Sequence, residues 1–400
     1  MTPDLARVKE RLAAEVDKRA DVLLDASHEI HAHPELCFEE RFAHDLLTGL
    51  LEAEELDVER HAFDLDTAFI ARAGSGDGPT IAVLCEYDAL PGIGHACGHN
   101  IIGTAGLGAG VAAAALANEL GGRLVILGTP AEEGGGGKEV LVQRGAFEGV
   151  DAAMMVHPAG ADLTRMNVIA NHQMRVRYHG QAAHAAAFPH KGRNALDAAV
   201  LGYMNVAALR QHIRPNERIH GIFTDAGDKP NIVPSFAAAE WYVRSPTVKL
   251  LDRLKPRVIA CLEAGAQAAG CEIEIEWYSP VYADMVDNRA MLDLYVANAA
   301  ATGRDVIDPD SADTAVVGST DMGNVSYVVP SIHPMIKSAP AHLSIHTPEF
   351  AEYTAAADGD AAVIDGAKAM AMTVADLWLR PEILAAAKDE FARSVAERRR

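Results

Sequence analysis

Between Asp4 and Glu55, Leu, Val and Ile recur three and four positions apart, the spacing of a single buried helix face. Within that region lies His31-Ala32-His33-Pro34-Glu35-Leu36-Cys37-Phe38-Glu39-Glu40, where Pro34 must end one helix or start another. A more polar stretch, 58–72, reads as strand and stops at Ala73-Gly74-Ser75-Gly76-Asp77-Gly78-Pro79, a turn by composition. From there short apolar runs alternate with helical segments. Residues 81–84 read as a buried strand, followed by Glu86 and Asp88. A helix from Ile101 stops at Gly121-Gly122, and 123–128 is the next strand, followed by Thr129-Pro130-Ala131-Glu132-Glu133 and four glycines. A helix over 138–144 leads to strand 152–156, which ends at His157-Pro158. Such alternation predicts an α/β fold with a mostly parallel sheet covered on both faces. Ligands of these sheets bind beyond the carboxyl ends of the strands. Three strands here place metal-capable residues just past that end.

From Asn171 the pattern changes. Residues 174–180 alternate as a half-buried strand, 194–210 are helical, 218–224 and 237–243 are strands, 247–269 form an amphipathic helix, and 271–278 alternate again. That order, βαββαβ, is the ferredoxin-like split motif. It predicts a second domain, 169–281, inserted into a first domain made of 1–168 and 282–400. After Val281 helices resume. A loop-rich region, 305–346, contains Gly318-Ser319-Thr320-Asp321-Met322-Gly323, and an Ala-rich helical tail closes the chain.

At 400 residues the chain is long enough for two cores, and 49% apolar with 23% charged residues is ordinary globular composition. A formal charge of −21 argues against nucleic acid, whose phosphates need clustered Lys and Arg, and is compatible with cationic substrates. Five widely separated cysteines do not make a disulfide scaffold. Four of them, Cys37, Cys85, Cys261 and Cys271, read most simply as small buried apolar residues. The charged N-terminus lacks the apolar core of a signal peptide. No uncharged apolar run has the character of a membrane span, and the nearest, 101–118, reads as a packed helix. A cytoplasmic protein without a membrane partner is expected.

The densest chemistry lies in Cys85-Glu86-Tyr87-Asp88-Ala89-Leu90-Pro91-Gly92-Ile93-Gly94-His95-Ala96-Cys97-Gly98-His99-Asn100. His95, Cys97 and His99 occupy every second position, so in an extended segment all three face one way. Thiolate and imidazole suit zinc or another borderline-soft divalent ion. In Glu132-Glu133 adjacent side chains diverge, so one carboxylate can bind metal while the other serves as general base. Taken alone, the pair reads more readily as acids decorating a helix N-terminus. The four glycines favour the functional reading, because they let backbone approach a ligand closely. His157 and His346 are each unremarkable alone, and His333 is a rival. His184, in a short Ala-rich turn, has no evident packing purpose.

Taken in order, the segments 31–40, 86–100, 130–137, the His184 loop, Lys229-Pro230-Asn231-Ile232-Val233-Pro234 and 346–350 resemble the co-catalytic metallopeptidase family of aminoacylases and glutamate carboxypeptidases. The subgroup most similar comprises amidohydrolases such as aminobenzoyl-glutamate hydrolase. Glu86-Tyr87-Asp88-Ala89-Leu90-Pro91 and Gly318–Gly323 especially resemble the dipeptidase branch acting on basic C-terminal residues. The resemblance implies a metallopeptidase domain with an inserted lid and dimerisation domain. It implies Cys97, His99, Glu133, His157 and His346 as ligands of a divalent metal pair, zinc or else manganese, nickel or cobalt. Glu132 becomes the general base acting on a metal-activated water, and His184 an oxyanion donor reaching the partner's site in a homodimer. Asn231 contacts substrate, and Asp88 and Glu86 support the ligands. Glu86 stands where other branches of the family have a metal-binding histidine. With five ligands supplied, His95 becomes supporting structure. The expected activity is hydrolysis of the amide bond of a small dipeptide or N-acyl amino acid, aminobenzoyl-glutamate-type deacylation being the alternative. A zinc deaminase is disfavoured, since His-x-Glu and Pro-Cys-x-x-Cys elements are absent. A non-catalytic metal-binding protein on the same scaffold is disfavoured by the intact Glu132.

Overall fold

The computed structural model describes residues 4–311 and 317–399. The chain divides into two units, Met1–Asn167 with Met285–Arg400, and Val168–Asp284.

In the first unit the Asp4 carboxylate accepts the Ala6 amide and opens α1 (Leu5–Asp17), whose Val8, Leu12 and Val16 recur one turn apart and are buried. α2 (Ala20–Ala32) ends just ahead of Pro34. α3 (Arg41–Ala53) buries Ala43, Leu47 and Leu51. The stretch that reads as one strand over 58–72 is two antiparallel strands, β1 (Asp57–Arg60) and β2 (Phe69–Ala73), with Asp57 opposite Arg72. Between them His61, Phe63 and Asp64 take positive φ, a reversal that polarity alone does not announce. β3 (Thr80–Cys85) is buried along its whole length, as its unbroken apolar run requires.

α4 (His99–Leu120) leads from β3 to β4 (Arg123–Gly128). By length and composition α4 would suit a membrane span, but most of it is buried against the fold as a core helix. Its glycines let it ride directly on the sheet: a Cβ at Gly106 would stand 2.6 Å from the Leu84 carbonyl oxygen, and one at Gly110 2.4 Å from Ile126 Cδ1. α5 (Gly137–Gln143) then leads to β5 (Ala152–Met154). The strand expected over 152–156 stops early. His157 opens a separate strand, β6 (His157–Ala159), and its amide donates to the Pro334 carbonyl at 2.9 Å.

After the two-residue β7 (Asn167–Val168), the second unit is β8 (Ala170–His179), α6 (Ala195–Leu209), β9 (Arg218–Asp225), β10 (Phe236–Ser245), α7 (Val248–Ala269) and β11 (Glu272–Trp277). The strands pair antiparallel in the order β11-β8-β10-β9, the ferredoxin-like arrangement. Alternation sorts the two faces. Met174, Val176, Tyr178, Trp241 and Val243 pack with Leu251, Leu254 and Val258 of α7. On the other face Arg175 pairs with Glu240 at 2.9 Å and Arg177 with Glu274 at 2.8 Å.

The first unit resumes with α8 (Arg289–Ala301), β12 (Val317–Gly318), α9 (Met322–Val325), β13 (Ser331–Ile332) and β14 (Met335–Lys337). It closes with α10 (Pro348–Tyr353), α11 (Ala357–Leu379) and α12 (Pro381–Arg399). Its main sheet runs β1-β2-β4-β3-β5-β13. The pairs among β4, β3, β5 and β13 are parallel, and β2 meets β4 antiparallel. β4 and β5 flank β3 on opposite sides, so the crossovers diverge at the carboxyl end of β3, where open α/β sheets bind ligands. β6 and β14 form their own parallel pair.

Candidate metal centre and active site

Cys97 and His99 are not brought together by an extended strand. Residues 95–98 form a turn, Gly98 has φ +82°, and His99 is the first residue of α4. Gly98 is needed twice over, since a Cβ would also meet Pro158 Cγ at 2.7 Å. Across that turn three sets of donors converge: Cys97, His99 and His157; Cys97, Glu133 and His346; His99, Glu132 and Glu133. Within each set the ligand atoms lie within 4.8 Å of one another. Cys97, His99 and Glu133 each belong to two sets, so the three sets overlap in one cluster. His95 joins none of them; it is buried beside His31, ring centroids 6.2 Å apart.

Neighbouring acceptors decide which histidine nitrogen faces the centre. His99 Nδ1 donates to Asp88 Oδ1 at 3.0 Å and His157 Nδ1 to the Pro158 carbonyl at 2.8 Å, so both present Nε2. His157 Nε2 stands 3.4 Å from Cys97 Sγ. His346, half-exposed and at φ +66°, is tied in by its amide on the Ala96 carbonyl at 2.8 Å, with Nε2 3.4 Å from Glu133 Oε1. His99 Nε2 and Glu133 Oε1 are buried without a hydrogen-bond partner among the described residues. Unmet buried lone pairs on an imidazole and a carboxylate beside a cysteine sulfur fit a divalent cation.

The Glu132–Glu133 turn is anchored on both sides. Ala131, at φ +60°, gives its amide to Glu40 Oε1 at 2.8 Å, and the Glu133 amide donates to Asp88 Oδ2 at 2.9 Å. A left-handed alanine costs ~1–2 kcal/mol, which two such buried hydrogen bonds can offset. Two of the glycines serve this turn. A Cβ at Gly135 would stand 2.4 Å from Phe38 Cε2, and one at Gly137 1.8 Å from the Pro130 carbonyl oxygen.

Burial, then the charges of Glu86, Glu133 and Asp321, push the Glu132 carboxyl well above the usual range. Burial opposes ionisation of Glu133 too, but the adjacent His346 imidazole and the charge of His99 hold it below that range. Two adjacent carboxyls are thereby driven apart in acidity, the signature of divided acid–base roles. Against burial, His99 holds Asp88 down to about 2, and burial followed by the His99 charge lowers His157 to about 4.

Residues 82–375 match the model of peptidase family M20/M25/M40. The chain belongs to that family. As an M20 peptidase it is a metal-dependent hydrolase. It is 39% identical to mouse Xaa-Arg dipeptidase over 97% of this chain and 93% of the relative. It is 36% identical to a p-aminobenzoyl-glutamate hydrolase chain of Escherichia coli over 62% of this chain and 56% of that one. Among solved structures, the aminobenzoyl-glutamate utilization protein of Klebsiella pneumoniae shares the fold at TM-score 0.71 and 20% identity, covering 90% of this chain and 98% of that one. A dinuclear metal-binding M20 peptidase of Bacillus subtilis does so at TM-score 0.68 and 20% identity, covering 90% and 99%.

The M20 site also contains residues that sequence reasoning did not assign. Lys138 and Asp321 are fully buried, joined Nζ to Oδ1 at 2.7 Å, with the Lys138 amide on Asp321 Oδ2 at 2.8 Å. The same ammonium pairs with Glu86 Oε1, whose Oε2 lies 3.6 Å from His99 Nε2. Glu86 and Asp88 thus both touch His99. Cys37 is half-buried rather than core, and its thiol donates to Asp88 Oδ2 at 3.4 Å. His333 is buried with its ring 5.2 Å from that of His157 and belongs to none of the donor sets. His184 and Asn231 lie in the second unit, both exposed, linked by the Ala185 amide on the Asn231 carbonyl at 3.0 Å.

Proposed function

We propose that this M20 peptidase is a dipeptidase favouring a cationic C-terminal residue, with Glu132 as general base and Cys97, His99, Glu133, His157 and His346 as ligands of two zinc ions. The observation that carries the site assignment is the convergence of those donors in three overlapping sets, one of which also holds the buried Glu132. The substrate assignment follows the near full-length likeness to Xaa-Arg dipeptidase and agrees with the charge of −21. Aminobenzoyl-glutamate hydrolysis is the second reading, supported by a relative matched over 62% of the chain.

A bound metal pair would polarise the scissile carbonyl and acidify water. Glu132, with its raised proton affinity, accepts a proton from the attacking water as the new C–O bond forms. It then delivers that proton to the leaving amine nitrogen as the C–N bond breaks. Asp88 and the Pro158 carbonyl hold the His99 and His157 rings in the ligating tautomer. His184 is assigned to stabilise the oxyanion and Asn231 to contact substrate, through a homodimer of the second unit. Free cysteines throughout support a cytoplasmic location, which cell fractionation checks.

The decisive experiment compares zinc-loaded wild type with Glu132→Gln on Xaa-Arg dipeptides, other dipeptides and N-acyl amino acids, with metal per chain measured alongside. The variant is expected to keep its metal and lose kcat by ~10²–10⁴-fold. Near-normal turnover sinks the general-base role. Bound metal without hydrolysis of any substrate favours a binding protein.

A further inference from the structure

Glu40 is a buried carboxylate that takes no part in the donor sets or in the proton transfers above. It sits immediately ahead of α3 with no exposed surface. Three donors surround it: the Phe38 amide at 2.9 Å and the Ala131 amide at 2.8 Å on Oε1, and the Thr67 hydroxyl at 2.8 Å on Oε2. Phe38 and Thr67 belong to the local fold. Ala131 belongs to the active site, because the next residue is Glu132.

Ala131 adopts φ +60°, a conformation that an L side chain resists and a glycine accepts freely. Something must hold it there. Its carbonyl accepts the amides of Gly135 and Gly137, both at 3.2 Å, and its own amide is held by Glu40. Two residues on, the Glu133 amide rests on Asp88. Glu132 therefore stands between two amides, each fixed by a buried carboxylate. If the first is released, the strained φ at Ala131 can relax. A rotation there turns Glu132 away from His99, while the bond to Asp88 keeps the Glu133 amide in place.

We propose that Glu40 is a positioning residue of the active site: by holding the Ala131 amide it maintains the left-handed turn that keeps Glu132 among the metal donors. This rests on Glu132 being the general base. It predicts that Glu40 matters only as far as residue 131 needs restraint.

The test is a double-variant cycle of Glu40→Gln and Ala131→Gly on the zinc-loaded protein, reading kcat, KM and metal per chain. Glu40→Gln is expected to lower kcat by about tenfold, which is 1.4 kcal/mol of barrier, with KM changed less than about twofold and metal content unchanged. In the Ala131→Gly background, where glycine holds positive φ unaided, the same substitution should lower kcat by less than about threefold. Wild-type kcat in Glu40→Gln overturns the proposal, as does an equal loss in both backgrounds. Loss of metal, or failure of both Gln-containing variants to fold, assigns Glu40 to the scaffold and also overturns it. A Glu132→Gln enzyme that still turns over defeats the general-base reading instead, whatever Glu40 does.

Discussion

A lysine with no exposed surface must be held by its partners. Burial alone would lower the Lys138 pKa, yet the charges of Asp321 and Glu86 raise it above the ordinary lysine value. The ammonium is the fixed counter-charge of two buried carboxylates. Lys138→Met leaves both unpaired and should destabilise the first unit by ~3–5 kcal/mol. Urea unfolding checks this, and an unchanged midpoint excludes it. Replacing Glu86 by Gln and Asp321 by Asn in the same chain should recover part of the loss, because the stranded charges are then gone. Nothing in the sequence distinguishes this lysine from a solvated one. It follows four glycines and lies in the first turn of a short helix, a setting where lysine is usually exposed. Glu40 is equally hidden, the second of two adjacent acids, only one of which is buried. Cys97 and His99 stand out by residue type beside a turn signal, whereas Glu133, His157 and His346 join them only through the resemblance of their segments to a known family.

At the scale of elements, apolar runs and alternation carry most of the fold. Residues 81–84 and 124–128 are uniformly apolar enough to demand burial on both faces. The alternation in 174–180 and 271–278 locates the split motif of the second unit. What periodicity misplaces are changes of direction. The double strand in 57–73 reverses through residues with positive φ, and β5 gives way to β6 next to a proline. Alternation of three donors points to an extended segment from His95 to His99, and the chain turns there instead. Gly98 is what makes it a turn. Gly98→Ala must take a left-handed φ and press on Pro158, together ~2–5 kcal/mol of strain. That strain should be relieved by parting Cys97 from His99. The variant is expected to bind zinc weakly, read as metal per chain after dialysis, and full occupancy would contradict this.

At the scale of the whole molecule, the second unit shows an open edge at β9 and an apolar patch beside it. Ile222 is 67% exposed and Met204 of α6 is 58% exposed, with Tyr203 and Phe223 rings 5.7 Å apart joining helix to strand. An open edge flanked by apolar side chains invites pairing with a second copy. Light scattering of the purified protein should give two chains per particle, and Ile222→Asp with Met204→Glu should give one while circular dichroism stays unchanged. A single wild-type chain rules out the dimer.

The division of the first unit across the chain has a consequence for how the protein is made. Cys97, His99, Glu132, Glu133 and His157 leave the ribosome early, whereas His346 follows His157 by 189 residues. At a synthesis rate of about 5–20 residues per second, that interval lasts roughly 10 to 40 s. β13, which completes the sheet beside β5, emerges in the same late portion. For that time the nascent chain carries a thiol, two imidazoles and two carboxylates with no His346 to complete them. The central segment, 168–284, holds a complete four-stranded sheet and both of its helices, so it can finish folding during the wait. If the proposed ligands hold a metal pair, their set is complete only after the inserted unit has emerged.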